Sequence, residues 1–134
     1  MFAIVTEECY TFTDHGHETI IATGPLRRMI EGTNRLLGNP RGGVFEVPIN
    51  DDWAKAIREK GGVEELRLQR ALKTKKYKHM LYLEWNDNYI LADGNHTYLA
   101  RHTKGHKWAP AYVVPEIIWR TFIVERKNAD RNKQ

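Results

Sequence analysis

The residues able to do chemistry are concentrated between Asp93 and Lys107. An apolar run, Tyr89-Ile90-Leu91-Ala92, ends in Asp93-Gly94-Asn95-His96, and a short helical stretch follows at once. Glycine turns the chain sharply and lets a ligand approach the main chain. Asp93 or Asn95 can cap the helix. Its first turn presents unpaired N–H groups and the positive end of the dipole, which together receive anions. Arg101 lies four residues after Thr97, Lys104 and Lys107 follow, and no acid occurs between Asp93 and Glu116. Such a set binds phosphate, with Gly94, Asn95, Thr97 and Arg101 as the binding residues. Its catalytic form is cleavage of a phosphate ester or anhydride. His96 then serves as acid–base or phosphate-polarising group, Asp93 orients it or holds a divalent cation, and Arg101 stabilises charge. The plainer reading of the same letters is a good turn and helix cap.

A second candidate is the run 67–79, which carries six Lys and Arg residues and no acid, with Tyr77 and His79 interleaved. Lys73, Lys75, Lys76 and Lys78 fit a phosphate-tracking patch for nucleic acid. They also fit a solvated helix end whose lysines complement the dipole. His15 and His17 flank Gly16, where Asp14 or Glu18 could join them around a metal. His102 and His106 are four apart, but Gly105 interrupts the helix between them. No His-Glu-x-x-His occurs, and no metal site is assigned. Cys9, the single cysteine, excludes an internal disulfide and reads as a small buried strand residue. Trp53, Trp85, Trp108 and Trp119 read as core or interface anchors. Trp108, beside the anion turn, is the exception that could stack on a base. P-loop and dinucleotide-binding glycine motifs are absent.

The order of strand, Asp-Gly-Asn-His, Tyr-Leu-Ala-Arg helix, glycine and Pro-Ala-Tyr-Val-Val strand over residues 80–114 resembles the ParB/sulfiredoxin-like superfamily. The Val-Pro strand and helices of 44–79 fit that pattern more loosely, and 1–43 match nothing in it. The resemblance implies a ParB/sulfiredoxin-like fold of the stand-alone phage or plasmid type. It implies a polar turn that binds nucleotide phosphate, with ATP or CTP and Mg2+ as candidate cofactors. It also implies a nucleotide phosphohydrolase or nuclease as the enzymatic form. Gly94 and His96 match the motif glycine and histidine, and Asp93 the acid of the Asp-Gly variants. Asn95 replaces the cysteine of sulfiredoxins, which removes the thiolate their chemistry needs. Thr97 replaces the usual arginine and with it a phosphate-pairing guanidinium. Arg101 is the nearest substitute.

The elements that must position these residues are legible in outline. Residues 2–6 and 8–13 read as strands, Asp14-His15-Gly16 as a turn and 19–23 as a returning strand. Pro25 suits a first helical position, and Leu26, Met29, Ile30, Thr33 and Leu37 recur at helical spacing up to a stop at Gly38. Residues 39–43 form a loop and 44–49 a short strand, with Pro48 at an edge or end. Asp51 or Asp52 caps a helix burying Trp53, Ala56 and Ile57. Gly61-Gly62 breaks it, and a further helix runs from Val63 to about Thr74, presenting Val63, Leu66 and Leu72, with Leu68 and Ala71 beside them. Residues 80–86 and 89–92 flank Asp87-Asn88 as a second hairpin. Residues 110–114 form a strand, and 117–124 fit strand or helix equally well. The irregular order argues for an α+β domain, a small mixed sheet with hairpins and short helices, over 1–125. Residues 1–43 would be an N-terminal elaboration and 126–134 a polar tail.

With 134 residues, 41% hydrophobic and 28% charged, the chain can build a core, and a net charge of +4 permits an anionic partner. No apolar run spans a bilayer, so no membrane partner is expected. The first ten residues lack a basic leader, so a cytoplasmic setting in a bacterium or phage-infected host is expected. The leading expectation is binding of a nucleotide or nucleic-acid phosphate at the Asp93–Thr97 turn. Its rivals are a non-catalytic phage-type protein that binds and inhibits a host protein, and a DNA-binding accessory protein using 67–79. The sequence leaves the oligomeric state open.

Overall fold

The structure, a computed structural model, describes residues 9–36, 44–60 and 63–128. The expectations for 2–6, Gly38, 39–43 and Gly61-Gly62 lie outside them. The fold is α+β. The chain divides into two compact units: Met1–Gly42 with Val114–Gln134, here the split unit, and Gly43–Val113, the continuous unit.

In the split unit, Cys9–Asp14 (β1) and His17–Ala22 (β2) form an antiparallel hairpin. His15 and Gly16 both have positive φ, 49° and 78°. That pair gives the turn whose twist matches the flanking strands. β1 alternates, with Asp14 buried while Cys9, Thr11 and Thr13 are exposed. Cys9 is therefore not the buried residue expected, because it lies on the outer side of the edge strand. Thr23–Leu36 (α1) follows. Pro25 is its third residue, still within the first turn, where a missing N–H breaks no helical bond. Leu26 is buried, Met29 and Ile30 are half-buried, and Thr33 is exposed. Gly32 lies inside the helix, where a Cβ would meet nothing within 4 Å.

The ambiguous stretch 117–124 belongs to both classes. Glu116–Trp119 (α5) continues into a 3-10 turn, Arg120–Phe122, and Ile123 then opens a strand, Ile123–Asn128 (β7). β7 pairs antiparallel with β2, making β2 the centre of the sheet β1-β2-β7. Residues 126–128, expected to start the tail, are thus strand; 129–134 lie outside the described residues.

Asp14, fully buried, organises this unit. Its carboxylate accepts from Arg120 Nη1 at 2.9 Å and Nη2 at 3.1 Å, and from Thr19 Oγ1 at 3.4 Å. Arg126 Nη2 approaches to 3.4 Å. Arg120 also donates through Nε to Glu116 at 2.7 Å and lies 4.5 Å over the ring of fully buried Trp119. Trp119 meets Phe12 edge-on at 5.6 Å.

In the continuous unit the elements are Val44–Pro48 (β3), Asp51–Lys60 (α2), Glu65–Lys73 (α3), Met80–Trp85 (β4), Asn88–Asp93 (β5), Asn95–Thr103 (α4) and Trp108–Val114 (β6), whose last residue lies at the boundary. The sheet order is β3-β6-β4-β5, so β3 is an edge, consistent with Pro48 at its end. Met80, Tyr82 and Leu91 of the sheet, Ile57 of α2, Leu68 of α3, and Tyr98, Leu99 and Ala100 of α4 share one core with Ala109 and Ala111.

Four local expectations are corrected. The cap of α2 is Asn50, whose Oδ1 accepts the Trp53 N–H at 2.8 Å; Asp51 and Asp52 occupy the first turn. Ala54, not Ala56, accompanies Ile57 inward, while Trp53 is half exposed, because a spacing of three puts 54 and 57 on one face. α3 starts at Glu65 rather than Val63, and of the residues expected inward Leu68 is buried while Leu66 is 75% exposed. The β4–β5 turn is Asn86-Asp87, with φ of 49° and 61°, one residue earlier than expected. Asn and Asp tolerate the left-handed region, and this placement keeps the strands in register.

Candidate nucleic-acid interface

The turn between β5 and α4 is built by packing. Asp93 pairs with Leu81 and is half-buried. Gly94 has φ 114° and is itself the N-cap of α4, which receives no side-chain cap, so neither Asp93 nor Asn95 caps it as expected. Its carbonyl accepts the Tyr98 N–H at 2.8 Å. A Cβ at Gly94 would stand 2.9 Å from Met80 Cγ and 3.3 Å from Met80 Cα. The room the glycine frees is therefore filled by a core residue. Asn95 is exposed, and Thr97 is half-buried.

His96 does not stand free at the helix mouth. Its Nε2 accepts the main-chain N–H of Glu64, the N-cap residue just before α3, at 3.0 Å. The neutral ring must then carry its proton on Nδ1. Burial, and then the nearby Arg67, hold its pKa below the usual histidine range. The expectation of His96 as an acid–base or phosphate-polarising group meets two obstacles: protonation is opposed, and it would remove an acceptor from a donor at the helix start. Stability supplied by this bond is complete above about pH 6.5, the ordinary histidine value. It declines as pH falls through that value toward the lower folded-state one, because the unfolded chain takes up the proton first. His96→Leu should therefore cost about 1 kcal/mol at pH 7.5, and the gap to wild type should narrow by pH 5. Urea midpoints at the two pH values measure this; a gap that widens on acidification would contradict it.

Arg101 is not at the turn either. It sits in the second half of α4, its guanidinium 4.7 Å over the Tyr77 ring and its Nη1 donating to His106 Nδ1 at 3.3 Å. It stands six helical steps on from Asn95, about 9 Å along the axis. The structure thus disperses the proposed phosphate set: Gly94 to Met80, His96 to α3, Arg101 to Tyr77. The paired histidines also part. His102 Nε2 donates to Asp51 Oδ1 at 2.7 Å, and that bond, with the charges of His102 and Lys107, holds the Asp51 carboxyl below its usual range. His17 Nδ1 lies 3.2 Å from the His15 carbonyl. Among the described residues, no three His, Cys, Asp or Glu side chains gather as a metal site.

What the structure does bring together is the basic run and the C-terminal end of α4. Lys104 Nζ donates to the Thr74 carbonyl at 3.0 Å and stands 4.8 Å over Tyr77, the ring that also receives Arg101. Two cations share one aromatic ring, and no carboxylate pairs with either among the described residues. Lys73, Lys75, Lys76 and Lys78, which flank Thr74 and Tyr77 in the chain, are exposed, as are Arg67 and Arg70 on α3. The Tyr77 hydroxyl is buried without a hydrogen-bond partner, and the residue packs against the core. Lys104 was not among the expected site residues; its position one turn after Arg101 on the same helix face is the signal for it.

The tryptophans divide. Trp119 is fully buried, Trp53 is 38% exposed, and Trp108 is 60% exposed. Trp108 follows the C-terminal end of α4 in the chain and opens β6 opposite Pro48. No helix among the described residues is long and apolar enough to cross a membrane. No protein-family model, curated protein or solved structure matches the chain.

Proposed function

We propose that the continuous unit binds nucleic acid through phosphate contacts from Lys73, Lys75, Lys76, Lys78, Arg101 and Lys104. The observation that carries this is the anchoring of Lys104 to Thr74 and Tyr77, which joins the α4 cations to the lysine run. Cations gathered without carboxylate partners repel one another, and a polyanion relieves that repulsion while releasing its own counterions. The overall charge of +4 favours the same class of partner. The resemblance of residues 80–114 to ParB/sulfiredoxin-like proteins agrees on phosphate as the ligand, though the residues that support binding lie at the other end of α4. Nucleotide cleavage at the Asp93–Thr97 turn has less support, since Gly94, His96 and Arg101 are engaged elsewhere.

The test is a salt titration of binding to a labelled DNA oligonucleotide. The affinity of the wild type should fall steeply with salt. Changing both Lys75 and Lys76 to Ala should reduce the slope of log K against log[salt] by between one and two units. An unchanged slope, or no binding at low salt, would reduce this surface to a solvated helix end.

A further inference from the structure

We propose that the outward face of α3 enters the major groove of duplex DNA, where Arg70 and Leu66 read base edges; this rests on the nucleic-acid reading above. α3 buries Leu68 in the shared core and packs against α4. At about 3.6 residues per turn, the positions opposite Leu68 are Leu66, Arg70 and Lys73, with Arg67 and Gln69 on the flanks. All five are exposed. Arg67 lies 3.8 Å from Glu64 and Gln69 donates to Glu65, but no carboxylate pairs with Arg70 or Lys73 among the described residues. α4 holds this helix at both ends. His96 Nε2 accepts the Glu64 N–H at its start, and Lys104 Nζ donates to the Thr74 carbonyl at its end. Thr74 closes the last turn, its N–H on the Ala71 carbonyl and its Oγ1 on that of Arg70. These bonds fix the roll of α3, so that one face is offered outward. A face set before contact loses little entropy on binding.

The size and chemistry of this face fit one occupant. A helix with its side chains is about 10–12 Å across, and the major groove of B-DNA is about 12 Å wide. Arg70, at the centre of the face, carries the planar fork that meets guanine O6 and N7 together. Leu66 stands one turn earlier and is 75% exposed. An apolar side chain between cations is a poor partner for water but a good one for the thymine methyl group, which projects into the same groove. Lys73 stands one turn after Arg70, and Lys75, Lys76 and Lys78 follow in the chain. They supply charge for the phosphates that border the groove, and Lys104 joins them through Thr74. The acids of this segment, Glu64 and Glu65, lie at its start, away from those lysines. Duplex RNA has a major groove too narrow for side chains to read, and a single strand has no groove, so B-form DNA is the ligand this face selects.

Binding of a labelled mixed-sequence DNA duplex, its separated single strand and the matching RNA duplex, at one low salt, tests the occupant. The DNA duplex should bind most tightly. Methyl green, which fills the major groove, should displace the protein, and netropsin, a minor-groove ligand, should not. Selection from a random duplex pool should enrich a site containing guanine and thymine. On that site Arg70→Ala should weaken binding about ten- to a hundredfold, the worth of one bidentate base contact. Arg70→Lys keeps the charge but not the fork and should lose as much selectivity. Replacing thymine by uracil in the site should weaken the wild type but not Leu66→Ser. Lys73→Ala should instead weaken all sequences alike and lower the salt slope by about one unit. Equal binding of the single strand, displacement by netropsin alone, a pool that enriches no sequence, or an Arg70→Ala loss uniform across sequences would overturn groove reading and spare the basic surface. A wild type that binds none of the three probes would overturn both readings.

Discussion

Arg120→Met is expected to lower the stability of the split unit by about 3 kcal/mol, the lower end of what breaking a buried ion pair costs. Asp14 is fully buried and accepts two of its hydrogen bonds from this one guanidinium. Methionine fills comparable space over Trp119 but removes the two guanidinium hydrogen bonds, while Thr19, Arg126 at 3.4 Å and His15 at 3.8 Å stay near the carboxylate. The penalty arises from a charge held out of water that has lost its bidentate partner. Removing the charge as well should therefore reverse part of the loss, and Asp14→Leu with Arg120→Met should be more stable than Arg120→Met alone. Fluorescence-detected urea unfolding follows this through Trp119. A loss below about 1 kcal/mol, or a double variant weaker than the single one, would show that the pair is not the organising contact.

Gly94→Val should cost about 2–4 kcal/mol in the continuous unit. Two effects act together. A φ of 114° is closed to a β-branched residue. The new Cβ would also meet Met80 at 2.9 and 3.3 Å, and crowding a packed core adds about 1–3 kcal/mol by itself. Met80→Ala in the same chain should recover the crowding part and none of the backbone part. Denaturant midpoints of the single and double variants measure both. Full recovery in the double variant would mean that the backbone conformation relaxes freely.

Both features were unequally visible in the residue order. Gly94 could be read, because an apolar strand running into a polar turn and a helix leaves little room for any other residue. The hairpin at His15-Gly16 was legible for a similar local reason. The Asn86-Asp87 turn was misplaced by one residue, since Asn-Asp and Asp-Asn pairs both suit positive φ and only the pairing register separates them. The stretch 117–124 was undecidable because isoleucine, tryptophan and phenylalanine serve either class. Its division after Phe122 follows from pairing with β2, which is remote in sequence. Asp14 and Arg120, 106 residues apart, carry no local sign of their partnership. At the candidate site the residue types pointed to phosphate, but their assignment to one place did not survive. The partner of His96 is a main-chain N–H, which leaves no trace in residue identity. The partner of Arg101 is a tyrosine from the lysine run, noted only as interleaved.

The division of the chain sets an order of events during synthesis. The continuous unit enters on β3 and leaves on β6, adjacent antiparallel strands in which Val44 faces Tyr112. Its two ends are therefore neighbours, as an inserted segment requires. All its strands have been made once Val113 has emerged from the ribosome, and it can close then. The hairpin of β1 and β2, made first, must wait: its third strand is Ile123–Asn128. A two-stranded ribbon is marginal in water by itself, and the bidentate Arg120 contact to Asp14 cannot form until Arg120 emerges. The hairpin, made before the continuous unit, is thus secured after it, exposing the edge of β2 to pairing with other nascent chains until β7 covers it.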